Sequence, residues 1–153
     1  MQSELEALQL YLELEALRFD NHFNFKINIA DEVDAGSLKV PPLIIQPFAE
    51  NAIWHGLMPR KEIGNLEIDV FIDDQILICR IRDDGIGRKK AAELKSKSGI
   101  GHKSFGMKIT ASRIDLLREQ QVLNSSVVIN DLVLPDNSAA GTEVIIKLPV
   151  KYE

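Results

Sequence analysis

Apolar and polar residues alternate in three stretches of this chain, which is the pattern of half-buried β-strands. The clearest run extends from Ile76 to Arg82. The pattern predicts strands at residues 25–29, 66–72 and 76–82, and two more strands are predicted near residues 126–134 and 142–149. Turn-forming residues at 73–75 and 135–138 lie between neighbouring strands, so we expect hairpins there.

A helical spacing of apolar residues precedes the first strand and covers residues 3–19. Ser3 and Glu6 are spaced as a capping box at its start. One stripe of this helix contains Leu5, Leu8, Leu12, Ala16 and Phe19, and Leu10, Leu14 and Leu17 fall on another side. So broad an apolar surface predicts two neighbours for the helix.

A second helix is predicted from Pro42 to about Gly56. Pro47 should either kink this helix or mark where its regular part begins. Further helices are expected at residues 88–95 and 106–120, and residues 96–105, which have few large apolar side chains, are expected to be mobile. Helices interleaved with hairpin-linked strands predict one domain over residues 1–153, a two-layer α/β sandwich with helices on one face of a mixed, mostly antiparallel sheet.

The totals fit an ordinary globular domain. The chain has 153 residues, of which 45% are hydrophobic, and a net charge of -5, which argues against general nucleic-acid binding. Its single cysteine, Cys79, cannot form an internal disulfide and is expected to be buried in the core. A lone cysteine of this kind is typical of a protein in a reducing cytoplasm. No stretch approaches the roughly 20 apolar residues of a membrane span.

Polar residues on the second predicted helix form the first candidate site. Glu50, Asn51, Trp54 and His55 lie opposite its apolar face. Because Asn is a poor helix former and Trp a poor surface residue, this face is expected to line a pocket. A solvated face remains the alternative.

The second candidate site is Asp83, at the end of a predicted strand, in the sequence D-D-G-I-G of residues 83–87. Its carboxylate is a strong acceptor, and the glycines that follow allow a ligand to approach the backbone closely. The exocyclic amine of adenine is a donor that such an acceptor recognises. An ordinary hairpin-type turn is the alternative.

Residues 88–105 form a basic segment, with six Lys or Arg residues and only Glu93 as an acid. Gly106 follows and opens a predicted helix, whose N-terminus would favour phosphate. A solvated charged loop is the alternative. Residues 101–104 lack the glycine spacing of a P-loop, and the three histidines have no metal-site spacing.

With these residues in place, the chain resembles the ATP-binding domain of sensor histidine kinases, specifically the LytS-like branch of the GHKL ATPase superfamily. Residues 41–56 (PPLIIQPFAENAIWHG) resemble its N box, residues 83–87 its G1 box, and residues 106–114 (GMKITASRI) the stretch after its ATP lid. Residues 141–142 match its late G-T pair, and residues 11–19 resemble the segment after its phosphoacceptor helix. The resemblance implies the Bergerat form of the α/β sandwich.

The resemblance also implies roles for single residues and the cofactors ATP and Mg²⁺. Asn51 would coordinate Mg²⁺ on the triphosphate, Asp83 would accept from the adenine amine, and His55 would bind the nucleotide. Thr142 would support the Asp83 region, and Glu50 could polarise the attacking group.

Further roles fall on the glycine-bearing segments. Gly85 and Gly87 would line the base and ribose. Lys103, Ser104 and Gly106 would belong to the lid and its phosphate end.

The implied function is the ATP-binding catalytic domain of a two-component sensor histidine kinase, which transfers the γ-phosphoryl group to a histidine outside this chain. Residues 1–20 would lead from the phosphoacceptor region of a parent that is a homodimer, is anchored in a bacterial membrane and carries this domain in the cytoplasm. The partners would be ATP, the acceptor helix and a response regulator. Because Trp54 stands where the family often has lysine, a GHKL-type regulatory module without kinase activity is the alternative. A domain that binds no nucleotide is a third possibility.

Overall fold

The computed structural model describes residues 1–98 and 125–152. Its helices are α1 (Gln2–Arg18), α2 (Gln46–Asn51) and α3 (Arg88–Ser98), and a π-helical turn over Ala52–Leu57 directly follows α2. Its strands are β1 (Phe23–Ile29), β2 (Gly64–Asp73), β3 (Ile76–Asp83), β4 (Ser126–Val133) and β5 (Ala139–Pro149). In the two described ranges, no helix combines the length and the apolar character needed to cross a membrane.

The five strands form one sheet in the order β1-β2-β3-β5-β4. The β1–β2 pair is parallel, and the other three pairs are antiparallel. The predicted mixed, mostly antiparallel sheet is therefore confirmed. The α3 helix continues past residue 95 to Ser98, and the rest of the segment predicted to be mobile and the helix predicted at 106–120 lie outside the described residues.

The two faces of the sheet differ in character. In β2, Leu66, Ile68 and Val70 are buried, whereas Glu67 and Asp69 lie between them on the other face and are half-buried. The same alternation continues in β3, where the buried set includes the thiol of Cys79. The apolar faces of α1 and α2 join these residues in one core, so the predicted two-layer sandwich is confirmed.

The β2–β3 hairpin fixes the position of the site at the far end of β3. Asp74 and Gln75 form its two-residue loop, with φ of 46° and 62°. Two left-handed residues in succession match the right-handed twist of the flanking strands. The resulting register pairs Asp73 with Ile76 and, at the other end, Leu66 with Asp83.

The predicted start of the second helix is wrong. The helix begins at Gln46 instead of Pro42, and Pro47 lies in its first turn, so this proline marks the start of the regular helix and causes no kink. Before it, Leu43 adopts a φ of 56°, which interrupts a helix. The Glu4 carboxylate of α1 accepts hydrogen bonds from three backbone N–H groups at this entry, those of Leu43, Ile44 and Ile45, at 2.7, 2.9 and 3.0 Å.

Replacing Glu4 should therefore loosen the entry to α2. We expect Glu4→Gln to lower the free energy of unfolding by about 1–3 kcal/mol, because charged acceptors of backbone N–H groups contribute about that much. Urea denaturation checks the value. Glu6→Gln is the matched control, since the partner of Glu6 among the described residues is the exposed Gln2 amide and its loss should change stability by less than about 0.5 kcal/mol. Equal losses in both variants would contradict the capping role.

Candidate functional site

A cavity of about 330 Å³ lies between the π-helical turn, the end of β3, α3 and β5. Five of the residues singled out from the sequence line it together: Asn51, His55, Asp83, Gly87 and Thr142. The rest of its wall is mostly apolar, with Phe48, Ala52, Ile81, Ala91, Ala92, Ile129 and Val144. The cavity therefore has the shape and composition of a small-molecule site, with a few polar groups in an apolar enclosure.

Asp83 is the buried polar group of this cavity, with only 5% of its surface exposed. Its Oδ1 accepts a hydrogen bond of 2.9 Å from the backbone N–H of Gly85. Burial raises the pKa of the Asp83 carboxyl from 3.8 to about 7, and the charge of Asp84 adds to the rise. Backbone hydrogen bonds from Gly85 and Thr142 act in the opposite direction. A carboxyl with such a pKa is poised to be ionised by a ligand that donates to it.

This raised pKa predicts a pH dependence of stability. The folded chain holds the Asp83 proton up to about pH 7, whereas an unfolded aspartate releases it near 3.8, so the contribution of this group is full below about pH 4 and is lost as the pH rises through 7. Asp83→Asn should therefore gain stability relative to the wild type between about pH 5 and pH 8, on the order of a few kcal/mol.

Urea denaturation of both proteins at the two pH values tests this expectation. Taking the difference between variant and wild type removes the opposing effect of carboxylates such as Asp69, whose pKa is lowered by hydrogen bonds from Asn28 and Arg80 despite its partial burial. A difference in stability that is the same at both pH values would contradict a raised pKa at Asp83.

The π-helical turn brings Gly56 against Asp83. Met58 N–H bonds to the carbonyl of Ile53 at 2.8 Å, five residues back, which widens the helix at this point. The Gly56 carbonyl accepts from Ile86 N–H at 3.0 Å. A β-carbon on Gly56 would lie 2.7 Å from Asp83 Oδ1, so only glycine allows this approach.

Gly85 has a packing role. Its own β-carbon would lie 2.3 Å from the carbonyl carbon and oxygen of Gly56, and Gly85 does not line the cavity. The close approach of Gly85 is therefore to the π-helical turn, and its place beside the base and ribose stays a prediction. Gly87, with φ of 82°, does line the cavity.

The late Gly-Thr pair meets Asp83 across the sheet. Thr142 is the partner of Asp83 in the β3–β5 register. Gly141 has φ of 124°, and a β-carbon there would lie 1.9 Å from the carbonyl oxygen of Asp83. These two residues support the backbone at Asp83 from the neighbouring strand.

Asp84 points away from the cavity and anchors the turn. Its carboxylate accepts from the backbone N–H and the side-chain amide of Asn65, at 2.7 and 2.8 Å. Arg60 donates to the Asp84 carbonyl at 2.6 Å and pairs with its carboxylate at 3.0 Å. The two adjacent acids therefore have different tasks, since Asp83 faces the cavity and Asp84 holds the loop in place.

Arg88 is the cationic side chain among the described residues of the cavity wall. Its Nε and Nη2 donate to the two carboxylate oxygens of Asp131 on β4, at 2.7 and 2.8 Å. This bidentate pair fixes the start of α3 to the sheet. Sequence reasoning had counted Arg88 only as part of a basic segment, and had no signal for Asp131.

The polar face predicted on the second helix divides into two pairs. Asn51 and His55, four residues apart, line the cavity, whereas Glu50 and Trp54 do not. The expectation that all four line one pocket is therefore wrong, because each pair lies about 100° from the other around the helix.

Trp54 packs instead against the end of α1. Its ring meets Phe19 edge-on at 4.9 Å, and the Arg18 guanidinium lies 5.2 Å from its centroid. Burial raises the pKa of the Tyr11 phenol, also on α1, and the charge of Glu50 raises it further. Trp54 therefore fastens α1 to the helix that carries Asn51.

Three predicted site residues, Lys103, Ser104 and Gly106, lie outside the described residues. Besides Asp131, two contributors to the site were missed. Asn65 could have been found from the hairpin register, which places it beside Asp84. Arg60 lies in a connecting segment with no periodic signal.

Comparison with known proteins identifies the relatives of this chain. The sensor protein LytS of Bacillus anthracis is 27% identical over 158 residues, which cover 99% of this chain and 25% of the relative. LytS of Bacillus subtilis is 25% identical over 161 residues, covering 99% and 24%. The sensor histidine kinase/phosphatase LytS of Staphylococcus aureus strain MRSA252 is 30% identical over 109 residues, covering 66% and 18%. The chain is homologous to the LytS sensor histidine kinases. It spans about a quarter of the length of the curated LytS relatives that it matches along its whole extent.

Solved structures agree on the fold of this LytS homologue. The catalytic domain of histidine kinase ThkA matches with a TM-score of 0.64 at 14% identity, covering 99% of this chain and 94% of that one. The mycobacterial sensor histidine kinase MprB matches with a TM-score of 0.58 at 16% identity, covering 97% and 95%. The fold is therefore that of a histidine kinase catalytic domain. No protein-family model matches the chain.

Proposed function

We propose that this chain is the ATP-binding catalytic domain of a two-component sensor histidine kinase and transfers the ATP γ-phosphoryl group to a histidine outside the chain. The observation that carries the proposal is that Asn51, from a helix, and Asp83, from a strand end, line one cavity of about 330 Å³. Homology to LytS sensor kinases over 99% of the chain supports it.

The cavity walls suit a purine base. Ile81, Ile129 and Val144 supply apolar surface, and Asp83 supplies one buried acceptor. A charge-assisted hydrogen bond from the adenine amine to Asp83 would contribute about 1.5–3 kcal/mol. The carboxyl would ionise on binding, and the adenine amine would pair with the charge that burial otherwise disfavours.

The residues present also fit Mg²⁺ held together with a nucleotide. Mg²⁺ commonly binds one or two protein oxygens and completes its shell with phosphates and water. Asn51 lines the cavity and its side chain has an amide oxygen, and the described residues contain no group of three or more His, Cys, Asp or Glu that could hold a metal by themselves. Asn51 would therefore hold the ion with the triphosphate. When bound, the ion would neutralise phosphate charge.

The work of this chain in the reaction would be positioning. Asp83 and the apolar wall would orient the base, and Asn51 would orient the triphosphate. We assign the phosphate end to Lys103, Ser104 and Gly106 on the resemblance alone. Glu50 does not line the cavity, and its charge raises the pKa of the Tyr11 phenol on α1, so no step is assigned to it.

The partners follow from the same proposal. A response regulator would receive the phosphoryl group, the acceptor helix would belong to a homodimeric parent, and this domain would lie on the cytoplasmic side of a membrane-anchored sensor. The names of the relatives, which describe sensor proteins and a histidine kinase/phosphatase, support this assignment.

A GHKL-type regulatory module, which binds nucleotide without transferring phosphate, is the second candidate. The packing of Trp54 against the end of α1, away from the cavity, favours it. Incubation with γ-labelled ATP and Mg²⁺, together with the acceptor segment of the full-length parent, separates the two. Acid-labile, base-stable label on a histidine is expected for the kinase. Nucleotide binding without such label would identify the regulatory module, and absence of binding would reject both.

A further inference from the structure

The α1 helix has two opposite apolar faces. Its inner face is buried in the core at Leu5, Leu8 and Leu12. On the opposite side, Leu10, Leu14 and Leu17 are 58%, 57% and 69% exposed. At 100° per residue, Leu10 and Leu14 lie about 160° from Leu12. We call Ala7 and these three leucines the outer leucine face.

The spacing of this face is that of a helix partner. Ala7, Leu10, Leu14 and Leu17 follow one another at intervals of three, four and three residues. This is the a/d spacing with which one helix presents side chains to another along a seam. Three large leucines exposed by more than half are more than scattered surface apolar residues, and such patches mark interaction sites.

A groove beside this face extends it onto the sheet. Its volume is about 510 Å³, and it lies between α1 and the edge strand β1. Leu10, Ile27 and Ile29 supply its apolar wall, and Ile29 is itself 45% exposed. The outer leucine face and the groove therefore meet at Leu10 and form one surface, whose α1 side also includes the polar residues Gln2, Glu6, Gln9 and Glu13.

The rim of this surface is acidic. Glu6 and Glu13 line the groove, and its described lining contains neither lysine nor arginine. Asp31 and Glu32 are exposed in the loop that joins two groove residues, Ile29 and Ala35. Arg18, at the end of α1, is directed to Glu15 and to the Trp54 ring.

We propose that the outer leucine face and its groove are a docking surface for an α-helix that has an apolar stripe flanked by lysine or arginine. The heptad spacing of α1 calls for a helix, and the acidic rim calls for basic flanks. A second copy of α1 fits less well. In an antiparallel pair Glu6 would face Glu13 of the other copy, and both are acidic.

Two synthetic helical peptides of about three heptads test the proposal. Both have the same leucine stripe, and the flanking positions are lysine in one and glutamate in the other. Binding to the whole chain is measured by fluorescence anisotropy. We expect the lysine peptide to bind at least about tenfold more tightly than the glutamate peptide, and its affinity to fall with added salt.

Variants locate the binding. Leu10→Ser/Leu14→Ser should weaken the lysine peptide by about tenfold or more, and these exposed positions leave the core intact. Glu6→Gln/Glu13→Gln should weaken it and reduce the dependence on salt. The control is Leu94→Ser/Val133→Ser. These two apolar residues are 47% and 58% exposed and lie outside the outer leucine face, so their replacement should leave binding unchanged. Circular dichroism confirms that each variant is folded.

Three results would overturn the proposal. The first is equal binding of the lysine peptide to the wild type and to Leu10→Ser/Leu14→Ser. The second is equal affinity for the two peptides, which would show that the surface does not select basic flanking residues. The third is a concentration-dependent dimer in sedimentation that Leu10→Ser/Leu14→Ser abolishes, since the face would then belong to a second copy of the chain.

Discussion

Asp83→Asn is expected to weaken ATP binding by about tenfold to a hundredfold. The substitution keeps the size of the side chain and removes the charge that strengthens the hydrogen bond from the adenine amine, worth about 1.5–3 kcal/mol. Because Asp83 is buried in the cavity wall, solvent offers the amine no substitute acceptor there. Calorimetric titration of ATP in the presence of Mg²⁺ measures the change.

The neighbouring acid provides the matched control. Asp84 bonds to Asn65 and Arg60 outside the cavity, so Asp84→Asn should lower stability by about 1–3 kcal/mol and leave the ATP affinity of the folded protein within about twofold. Equal effects of the two substitutions on affinity would show that Asp83 is not the base acceptor.

The pH dependence of the same titration distinguishes the role of the charge. With a pKa of about 7 before binding, Asp83 must lose its proton to accept from the amine, so affinity should fall by about tenfold from pH 8 to pH 6. Asp83→Asn cannot titrate and corrects for protonation of the ATP phosphates. Parallel pH profiles for the variant and the wild type would exclude this role for the carboxylate.

Gly141→Ala is expected to lower the free energy of unfolding by about 3 kcal/mol or more. The new β-carbon would lie 1.9 Å from the Asp83 carbonyl oxygen, and the φ of 124° at this position strains any residue with a side chain. Relief requires β3 and β5 to separate at the point where Asp83 enters the cavity. Urea denaturation measures the loss, and ATP affinity should fall with it.

Gly36→Ala is the control for this substitution. Gly36 lies in an exposed loop, and a β-carbon there would meet its nearest neighbour, Asp34 Oδ1, at an ordinary contact distance of 3.4 Å. Its stability should change by less than about 1 kcal/mol. Similar losses in the two variants would mean that the close approach at Gly141 is not what stabilises the site.

Local patterns predicted most of the fold. Alternation along β2 and β3 predicted both strands and the buried face, because the side-chain period of two appears directly in the order of residues. The predicted start of α2 was wrong because Leu43 adopts a left-handed conformation, and its backbone N–H donates to the Glu4 carboxylate of α1, which lies 39 positions away in the chain. The periodicity of apolar residues along a helix does not predict such a contact.

The site was predicted only in part, because local motifs identify candidate residues but contacts between distant elements decide which of them line the cavity. The motif at the end of a predicted strand identified Asp83 and Gly87 as site residues, and both line the cavity. Gly85 and Glu50 belong to the same motifs and do not line it. Gly85 packs on the π-helical turn, and the charge of Glu50 acts on Tyr11 of α1. The turn itself depends on a five-residue hydrogen bond that no residue type in Ala52–Leu57 specifies.

The order of residues by itself determined the strands, the hairpins and the helical faces, because each rests on side chains close together in the chain. The pairing of Asn51 with Asp83 in one site came from the family resemblance of the motifs that contain them. Tertiary structure alone decided that Gly56 and Gly141 pack against Asp83 from two sides. It also decided that Asp84 pairs with Arg60 and that Trp54 packs against the end of α1. These arrangements depend on distances between elements that only the packed core sets, and that is also why Asp83 acquires its raised pKa.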